Sequence, residues 1–183
     1  MRKILASIML LLVTACGYYS MAGSIPPHIK SITIPLVRNQ TSEFGIAEQI
    51  TDDLQNRFIE ENILKVVDED QADSILRGTI VSVADKVHTF TREESVQEYR
   101  LTIKMELEWY DAVKDVVLLK KTYTGWGAYG VSGDISTDNV DNDGDGLIDG
   151  DDDDEVGEPR EFATRVAVNQ IAVEILDEIV ASW

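Results

Sequence analysis

The chain has 183 residues and a formal net charge of −18 at pH 7. This charge argues against a nucleic-acid partner, because proteins that bind phosphate backbones present a basic surface. Twelve of the 34 acidic residues lie in one acidic segment, residues 134–158, which contains no Lys or Arg, so the rest of the chain carries only −6. A block of like charges is typical of a solvated, self-repelling loop.

Residues 1–15 have the pattern of a secretory signal peptide. Arg2 and Lys3 precede the apolar run ILASIMLLLV, which is too short to span a bilayer comfortably. The run ends in VTAC, which resembles a bacterial lipobox and places the only cysteine, Cys16, at the lipidation position. We expect Cys16 to carry a diacylglycerol and an acyl chain such as palmitate. The alternative is an ordinary signal peptide followed by an incidental cysteine.

The mature chain is predicted to be one domain, residues 16–183, which is long enough for a hydrophobic core. No later segment has eighteen consecutive apolar residues, so the lipid would be the only membrane anchor. Gly17, and not Asp, follows the cysteine. By resemblance to bacterial lipoprotein sorting, this favours the periplasmic face of the outer membrane, with the lipid in its inner leaflet.

The first half of the domain is predicted to contain a strand, a helix and a further strand. Residues 29–37 suggest a strand near a sheet edge because of Pro35, with these residues on one face: Ile32, Ile34 and Leu36. RNQTS follows as a polar turn, in which Thr41 or Ser42 can cap a helix. That helix should run from Glu43 to about Asn62, with one apolar stripe formed by Ile46, Ile50, Leu54 and Phe58. LKVVD can form one more short strand.

The second half is predicted to contain three strands and a helix. Residues 72–87 alternate as a strand, and VHTFTREESVQ is typical of a polar connection. Residues 98–111 form the clearest strand, with this apolar face: Tyr99, Leu101, Ile103, Met105, Leu107 and Trp109. AVKD is a turn before the returning strand of a hairpin. After the acidic segment, residues 160–183 return to helical spacing, with these residues on one face: Phe162, Val168, Ile171, Ile175 and Ile179.

These elements predict an α+β fold, a two-layer sandwich in which two helices pack on one face of a four-stranded mixed sheet. The first strand and the strand after the first helix should be parallel, and the later hairpins antiparallel. The acidic segment is then an insert between the last strand and the last helix. The sequence has no G-x-S-x-G motif, no H-E-x-x-H motif and no phosphate-binding glycine loop, so we expect no enzyme.

Residues 141–152 of the acidic segment match the ligand spacing of a calcium loop. Gly146 occupies the position that needs a sharp turn, and the predicted metal ligands are Asp141, Asp143, Asp145, Leu147 through its carbonyl, Asp149 and Asp152. The flanking sequence GVSGDISTDN does not predict the helix that an EF-hand needs, so the loop resembles extracellular calcium repeats. We expect calcium affinity on the order of 10⁻⁴–10⁻³ M and a local structural role. The alternative is an acidic insert that binds no specific ion.

The remaining motifs resemble the lipopolysaccharide-assembly lipoprotein family, LptE. CGYY, IPPHIKSITIPLVRNQT, ADSILRGTIVSV and VQEYRLTIKMELEWYD follow in the order seen in that family. The resemblance implies a non-catalytic lipoprotein that plugs a large outer-membrane β-barrel. With this barrel it carries lipopolysaccharide to the cell surface.

The resemblance also implies basic contacts to lipopolysaccharide in the loop between the second and third strands. Here that loop would hold Lys86 and Arg92, and an arginine fork suits phosphate oxygens. The family's other basic contact lies ahead of the last helix, where this chain has the acidic segment. That segment would repel lipid phosphates unless divalent ions bridge them.

Two other functions fit parts of the sequence. The stretch ITIPLVRNQTSEFG…ADSILRGTI also looks like periplasmic lipoproteins that activate cell-wall synthases or assist curli secretion. The long hairpin after residue 97 favours the LptE-like function over this one. The third possibility is a calcium-dependent surface module in which the acidic segment is the active part.

Overall fold

The protein is described here by a computed structural model that covers residues 25–90, 96–130, 146–148 and 158–181. The strands in these ranges are β1 (Ser31–Thr33), β2 (Arg38–Asn39), β3 (Lys65–Val66), β4 (Ser74–Phe90), β5 (Val96–Asp111) and β6 (Val116–Gly130). The α-helices are α1 (Ile46–Glu60) and α2 (Pro159–Ala181), and Glu69–Gln71 forms a 3₁₀ turn.

The six strands form one mixed sheet in the order β3-β1-β4-β5-β6, with β2 also paired to β4. Strands β1, β2 and β3 make parallel pairs, whereas β4, β5 and β6 form two long antiparallel hairpins. The predicted mixed sheet and its parallel start are confirmed. The number of four strands was wrong, because β2 and β3, of two residues each, join the predicted four. Strand β3 lies in LKVVD, the possible further strand of the sequence analysis, whereas β2 was not predicted.

Only three residues of the predicted first strand, 29–37, form a strand, β1, and the chain pairs with the same side of β4 again at β2, within the predicted polar turn. Pro35 lies in the break between the two strands, and proline has no N–H to donate to a ladder. The predicted edge position was wrong, since β1 pairs with β3 on one side and β4 on the other. Leu36 lies in the break and is exposed, not buried as its alternation with Ile34 predicted.

The first helix begins three residues later than predicted and without the predicted side-chain cap. Gly45 occupies the N-cap position with φ of +81°, and no side chain caps the helix there. Thr41 Oγ1 instead accepts from the Glu43 N–H within the preceding turn. A glycine adopts this left-handed conformation without the steric cost that a Cβ atom brings.

Both helices cover the same face of the sheet, as the sequence predicted. The predicted stripe of α1 is buried, and so are the five residues predicted for α2. Gly125 and Gly127 of β6 let α2 approach closely, because a Cβ atom on either would lie 2.0–2.2 Å from the carbonyl oxygens of Ala167 and Ala163. Among the described residues, no helix combines the length and apolarity needed to cross a membrane.

Candidate functional site

The face of the sheet opposite the helices is the candidate functional surface. Successive residues of a strand point to opposite faces, so the buried odd-numbered residues of β5 leave the even-numbered ones outside. The outward residues are Arg100, Thr102, Lys104, Glu106 and Glu108, all half-buried or exposed. This face carries cations at both ends: Arg77 and Lys120 pair with Glu108 nearer the start of β4. Lys86 and Arg100 lie near the β4–β5 hairpin end.

A cationic patch, which we define as Lys86, His88, Arg100, Lys104 and Trp126, lies at that end of the outer face. Lys86 of β4 is directly opposite Arg100 of β5 in the antiparallel register. Arg100 Nη2 donates to His88 Nε2 at 2.9 Å, and the guanidinium lies 4.2 Å from the centre of the Trp126 ring. These contacts orient the guanidinium while Lys86 and Lys104 stay exposed.

The patch is suited to bind anions. An oriented guanidinium donates paired hydrogen bonds to phosphate or carboxylate oxygens, and lysine adds mobile point charges beside it. Stacking on Trp126 adds a cation–π interaction that fixes the plane of the Arg100 fork. Glu98 is a nearby carboxylate, and Thr89 Oγ1 donates to it at 3.1 Å.

The opposite, inner side of the same end is held by Arg160 in the first turn of α2. Its guanidinium donates to Asp85 and to Glu43, with the shortest N–O distance to each 2.9 Å. The hydrogen bonds to Asp85 and Glu43 raise the Arg160 pKa above its usual value, although desolvation opposes them. Tyr129 also donates to Asp85, and burial together with this bond raises the pKa of Tyr129 to about 12. Arg160 is therefore engaged in structure, and it is not a free cation ahead of the last helix.

Lys86 is exposed and lies in strand β4, as the alternation up to Val87 predicted, and not in the loop where the family resemblance placed it. Strand β4 continues to Phe90, because VHTF pairs with β5 despite its polar composition. Arg92, the other predicted lipopolysaccharide contact, lies outside the described residues. Arg100 was not predicted as a site residue. The alternation of β5 places it on the polar face, but only the strand register shows that it faces Lys86.

Most of the predicted calcium loop lies outside the described residues: Asp141, Asp143, Asp145, Asp149 and Asp152. The predicted lipidation site, Cys16, also lies outside them. Gly146 is described and has φ of +97°, in the left-handed region. Leu147 is exposed. No group of three or more His, Cys, Asp or Glu residues suited to a metal occurs within the described ranges.

The other end of the sheet, the N-terminal end, is defined by His28, Asp111 and the β5–β6 turn at residues 112–115. Asp111 is buried, and His28 donates to it at 2.6 Å. Burial acts to raise the Asp111 pKa, but hydrogen bonds from the Lys114 N–H, His28 and the Val113 N–H outweigh it and lower the pKa. The carboxylate therefore fastens the start of the described chain to the hairpin turn.

The fold defines the chain as a two-layer α+β domain with one uncovered sheet face. The family model for lipopolysaccharide assembly, LptE, matches residues 29–182, and the chain therefore belongs to the LptE family. This family consists of non-enzymatic lipoproteins that work with the lipopolysaccharide-transport machinery. No curated protein sequence matches the chain.

Solved structures with a similar arrangement share little sequence with this chain. Hypothetical protein CT253 from Chlamydia trachomatis is 8% identical over 82% of this chain and 98% of its own, with a TM-score of 0.51. A minor lipoprotein from Acinetobacter baumannii is 13% identical, with 85% and 93% covered and a TM-score of 0.49. Lipoprotein B from Nitrosomonas europaea is 14% identical, with 88% and 87% covered and a TM-score of 0.45. The similarity to CT253 supports the fold alone.

Proposed function

We propose that this protein is an outer-membrane lipoprotein that plugs the β-barrel of lipopolysaccharide assembly and assists lipopolysaccharide transport to the cell surface. Its partners are the barrel, lipopolysaccharide and, through the lipid on Cys16, the inner leaflet of the outer membrane. It acts by binding and not by catalysis. The observation that carries the proposal is an oriented cationic patch on the uncovered sheet face of a chain in the LptE family.

The cationic patch supports a contact with the phosphates of lipopolysaccharide. Without the acidic segment the chain still carries −6, so a cluster of cations on one face is not a consequence of its overall composition. Arg100 is held by His88 and Trp126, which lowers the ordering cost of binding an anion. Arg92, six positions from Lys86 along the chain, is proposed as a further contact.

Exposed aromatic side chains lie at the same end of the molecule. Phe44 is 97% exposed, next to the Glu43 that binds Arg160, and Phe90 at the end of β4 is 61% exposed. Apolar surface beside a cationic patch matches a lipid that has both phosphates and acyl chains. The polar residues of the uncovered face suit the lumen of a barrel, which is itself polar.

The plug role is tested by depleting the protein from cells and measuring surface lipopolysaccharide and assembled barrel. Both should fall, and the barrel isolated in mild detergent should contain this chain. Unchanged surface lipopolysaccharide together with unchanged barrel assembly would contradict the proposal. Capture of a peptidoglycan synthase instead of the barrel would favour the regulator function.

Lipidation of Cys16 is part of the same proposal. Mass spectrometry of the membrane-extracted protein should show a chain that starts at Cys16 and carries diacylglycerol and an acyl group. Cys16→Ala should release the protein into the periplasmic fraction. A chain cleaved at another position, or one that keeps residues 1–15, would refute the lipidation site.

We also propose that the acidic segment binds calcium through the six predicted ligands. The positive φ of Gly146 supports the sharp turn that the loop needs. Calorimetry on the full-length protein should give heat of calcium binding that Asp143→Asn and Asp145→Asn together abolish. Deleting residues 134–158 should leave a folded protein that still binds the barrel, because the segment is an insert between β6 and α2. Absence of any calcium-dependent heat would remove the metal site.

A further inference from the structure

The β5–β6 turn and the start of β6 carry three exposed valines. Val113 is 62% exposed, Val116 is 46% exposed and Val117 is 50% exposed. Lys114 and Lys120 are exposed on either side of them, together with Asp115. The Lys120 side chain is 73% exposed, and its Nζ lies 3.6 Å from Glu108 Oε2 in an ion pair that leaves it open to solvent. Apolar residues flanked by lysines are the composition of protein segments that lie in the headgroup region of an anionic membrane.

The position of the proposed lipid anchor selects this turn as the membrane-facing part. His28 donates to Asp111 at 2.6 Å, and the Ala112 N–H donates to the carbonyl of Asp73 at 2.9 Å. Asp73 in turn accepts from the N–H groups of Lys30 and Ser31. The first described residues are therefore fastened directly to the start of the turn.

Chain length limits how far this end can lie from the membrane. The nine residues from Cys16 to Ile25 can span at most about 30 Å when fully extended. Strand β4 runs from this end to the cationic patch over 17 residues, which is about 55 Å at the rise of a β-strand. Because the tether starts near the N-terminal end and is shorter than β4, the lipid on Cys16 cannot reach the cationic end. The cationic end therefore cannot be the end that faces the anchoring leaflet directly.

We propose that the β5–β6 turn and the start of β6, with Val113, Lys114, Val116, Val117 and Lys120, contact the lipid surface and set the orientation of the anchored protein. The acyl chains on Cys16 hold the protein at the membrane, and the turn decides which end faces it. The valines enter the interface while the lysines meet anionic headgroups. Helix α1 ends nearby with Glu60 and Glu61, so the contact is made by the sheet layer and not by the helix layer. This inference rests on the proposed lipid anchor but not on the barrel or on lipopolysaccharide.

The test uses the lipidated full-length protein in vesicles of phosphatidylethanolamine and phosphatidylglycerol, without the barrel. A single cysteine is placed at Val117, or at Val87 as the matched control, and labelled with an environment-sensitive fluorophore. Val87 is an exposed valine, 41% exposed, in β4 near the cationic end. Because Cys16 is acylated, the new cysteine is the one that reacts.

We expect a nitroxide-labelled lipid to quench the label at position 117 roughly twofold or more strongly than the label at position 87, since only the former enters the interface. Lys114→Glu with Lys120→Glu should reduce quenching at position 117, and the reduction should disappear in vesicles of phosphatidylcholine alone. Equal quenching at 117 and 87, or a label at 117 that is shielded only after the barrel is added, would overturn the proposal. Flotation of the vesicles reports separately whether the protein is anchored at all.

Discussion

Each end of the sheet is held together by a group of charged side chains, which we call its clasp. The two clasps differ in burial and in how far their side chains are exposed to water. At the N-terminal end, a fully buried Asp111 is satisfied by His28 and two backbone N–H groups. At the cationic end, Arg160 joins Asp85 and Glu43 in side chains that remain 31–39% exposed. A buried carboxylate needs all its partners, whereas a half-exposed ion pair can exchange them for water. We therefore expect the N-terminal end to contribute more to the free energy of unfolding, and the cationic end to make the proposed contact with lipopolysaccharide.

The largest effect is expected from removing the buried clasp. Asp111→Ala should lower the free energy of unfolding by about 3 kcal/mol, because it leaves the Val113 and Lys114 N–H groups and His28 without their acceptor. Urea unfolding monitored by circular dichroism measures the change. Asp177→Ala on the exposed side of α2 is the control, and it should change stability by no more than about 0.5 kcal/mol. Equal losses for the two variants would show that the N-terminal end is not the stable one.

The second effect is the loss of stability in acid. The pKa of Asp73 lies below the ordinary 3.8, chiefly because the Lys30 N–H donates to its carboxylate. Burial acts to raise the pKa of Asp111, but its hydrogen bonds outweigh burial and lower that pKa below 3.8 as well. Both groups therefore bind protons less readily when folded, so their contribution is complete above the ordinary pKa and is lost as the pH falls below it. Unfolding free energies measured from pH 6 downward should decrease below about pH 4, and Asp111→Asn should make the decrease shallower. A variant with the parent slope would contradict the role of Asp111.

A smaller effect is expected at the clasp of the cationic end. Arg160→Met keeps the apolar stem but removes the ion pairs with Glu43 and Asp85, and it should cost about 1 kcal/mol because these groups are partly solvated. High salt should weaken the parent protein more than the variant. A loss as large as that of Asp111→Ala would remove the contrast between the two ends.

The smallest effect is expected under helix α2. Tyr123 is 1% exposed, and its hydroxyl has no hydrogen-bond partner within the described residues. Burial raises the pKa of Tyr123 to about 12. Tyr123→Phe should therefore leave stability within about 0.5 kcal/mol of the parent or raise it slightly, since no bond is broken. Thermal unfolding would reveal a buried partner if the variant were destabilised by more than that.

The elements with strong periodicity could be predicted from the sequence with their buried faces, whereas of the two shortest strands only β3 was indicated, by LKVVD, and β2 was not. The period-two pattern of β5 and the stripe of α1 follow from burying one face, so a local window contains the signal. Strands β2 and β3 are two residues long and exist because β4 and β1 lie beside them. The break at Pro35 shows the same dependence, since the chain rejoins β4 after it.

The candidate site was predicted only in part for a similar reason. Lys86 was selected from the sequence, but the polar run after it suggested a loop where the structure has paired strand. Arg100 is a candidate site residue because of three neighbours on the two adjacent strands. Lys86 and His88 lie on β4, and Trp126 lies on β6. No local pattern records a cross-strand register. The hydrogen bond between His28 and Asp111 joins residues 83 positions apart, and no local sequence pattern predicts it either.

The most direct test of the account is lipopolysaccharide binding by two charge-reversal variants of the full-length protein. Lys86→Glu with Arg100→Glu changes the cationic end, and Lys30→Glu with Lys65→Glu makes the same change in net charge at the N-terminal end, where both lysines are exposed. Affinity should fall roughly tenfold or more for the first pair and less than about threefold for the second, because charge-assisted bonds to phosphate act at short range. Equal losses would show that only net charge matters, and an unchanged affinity for the first pair would contradict a lipopolysaccharide contact at the cationic end.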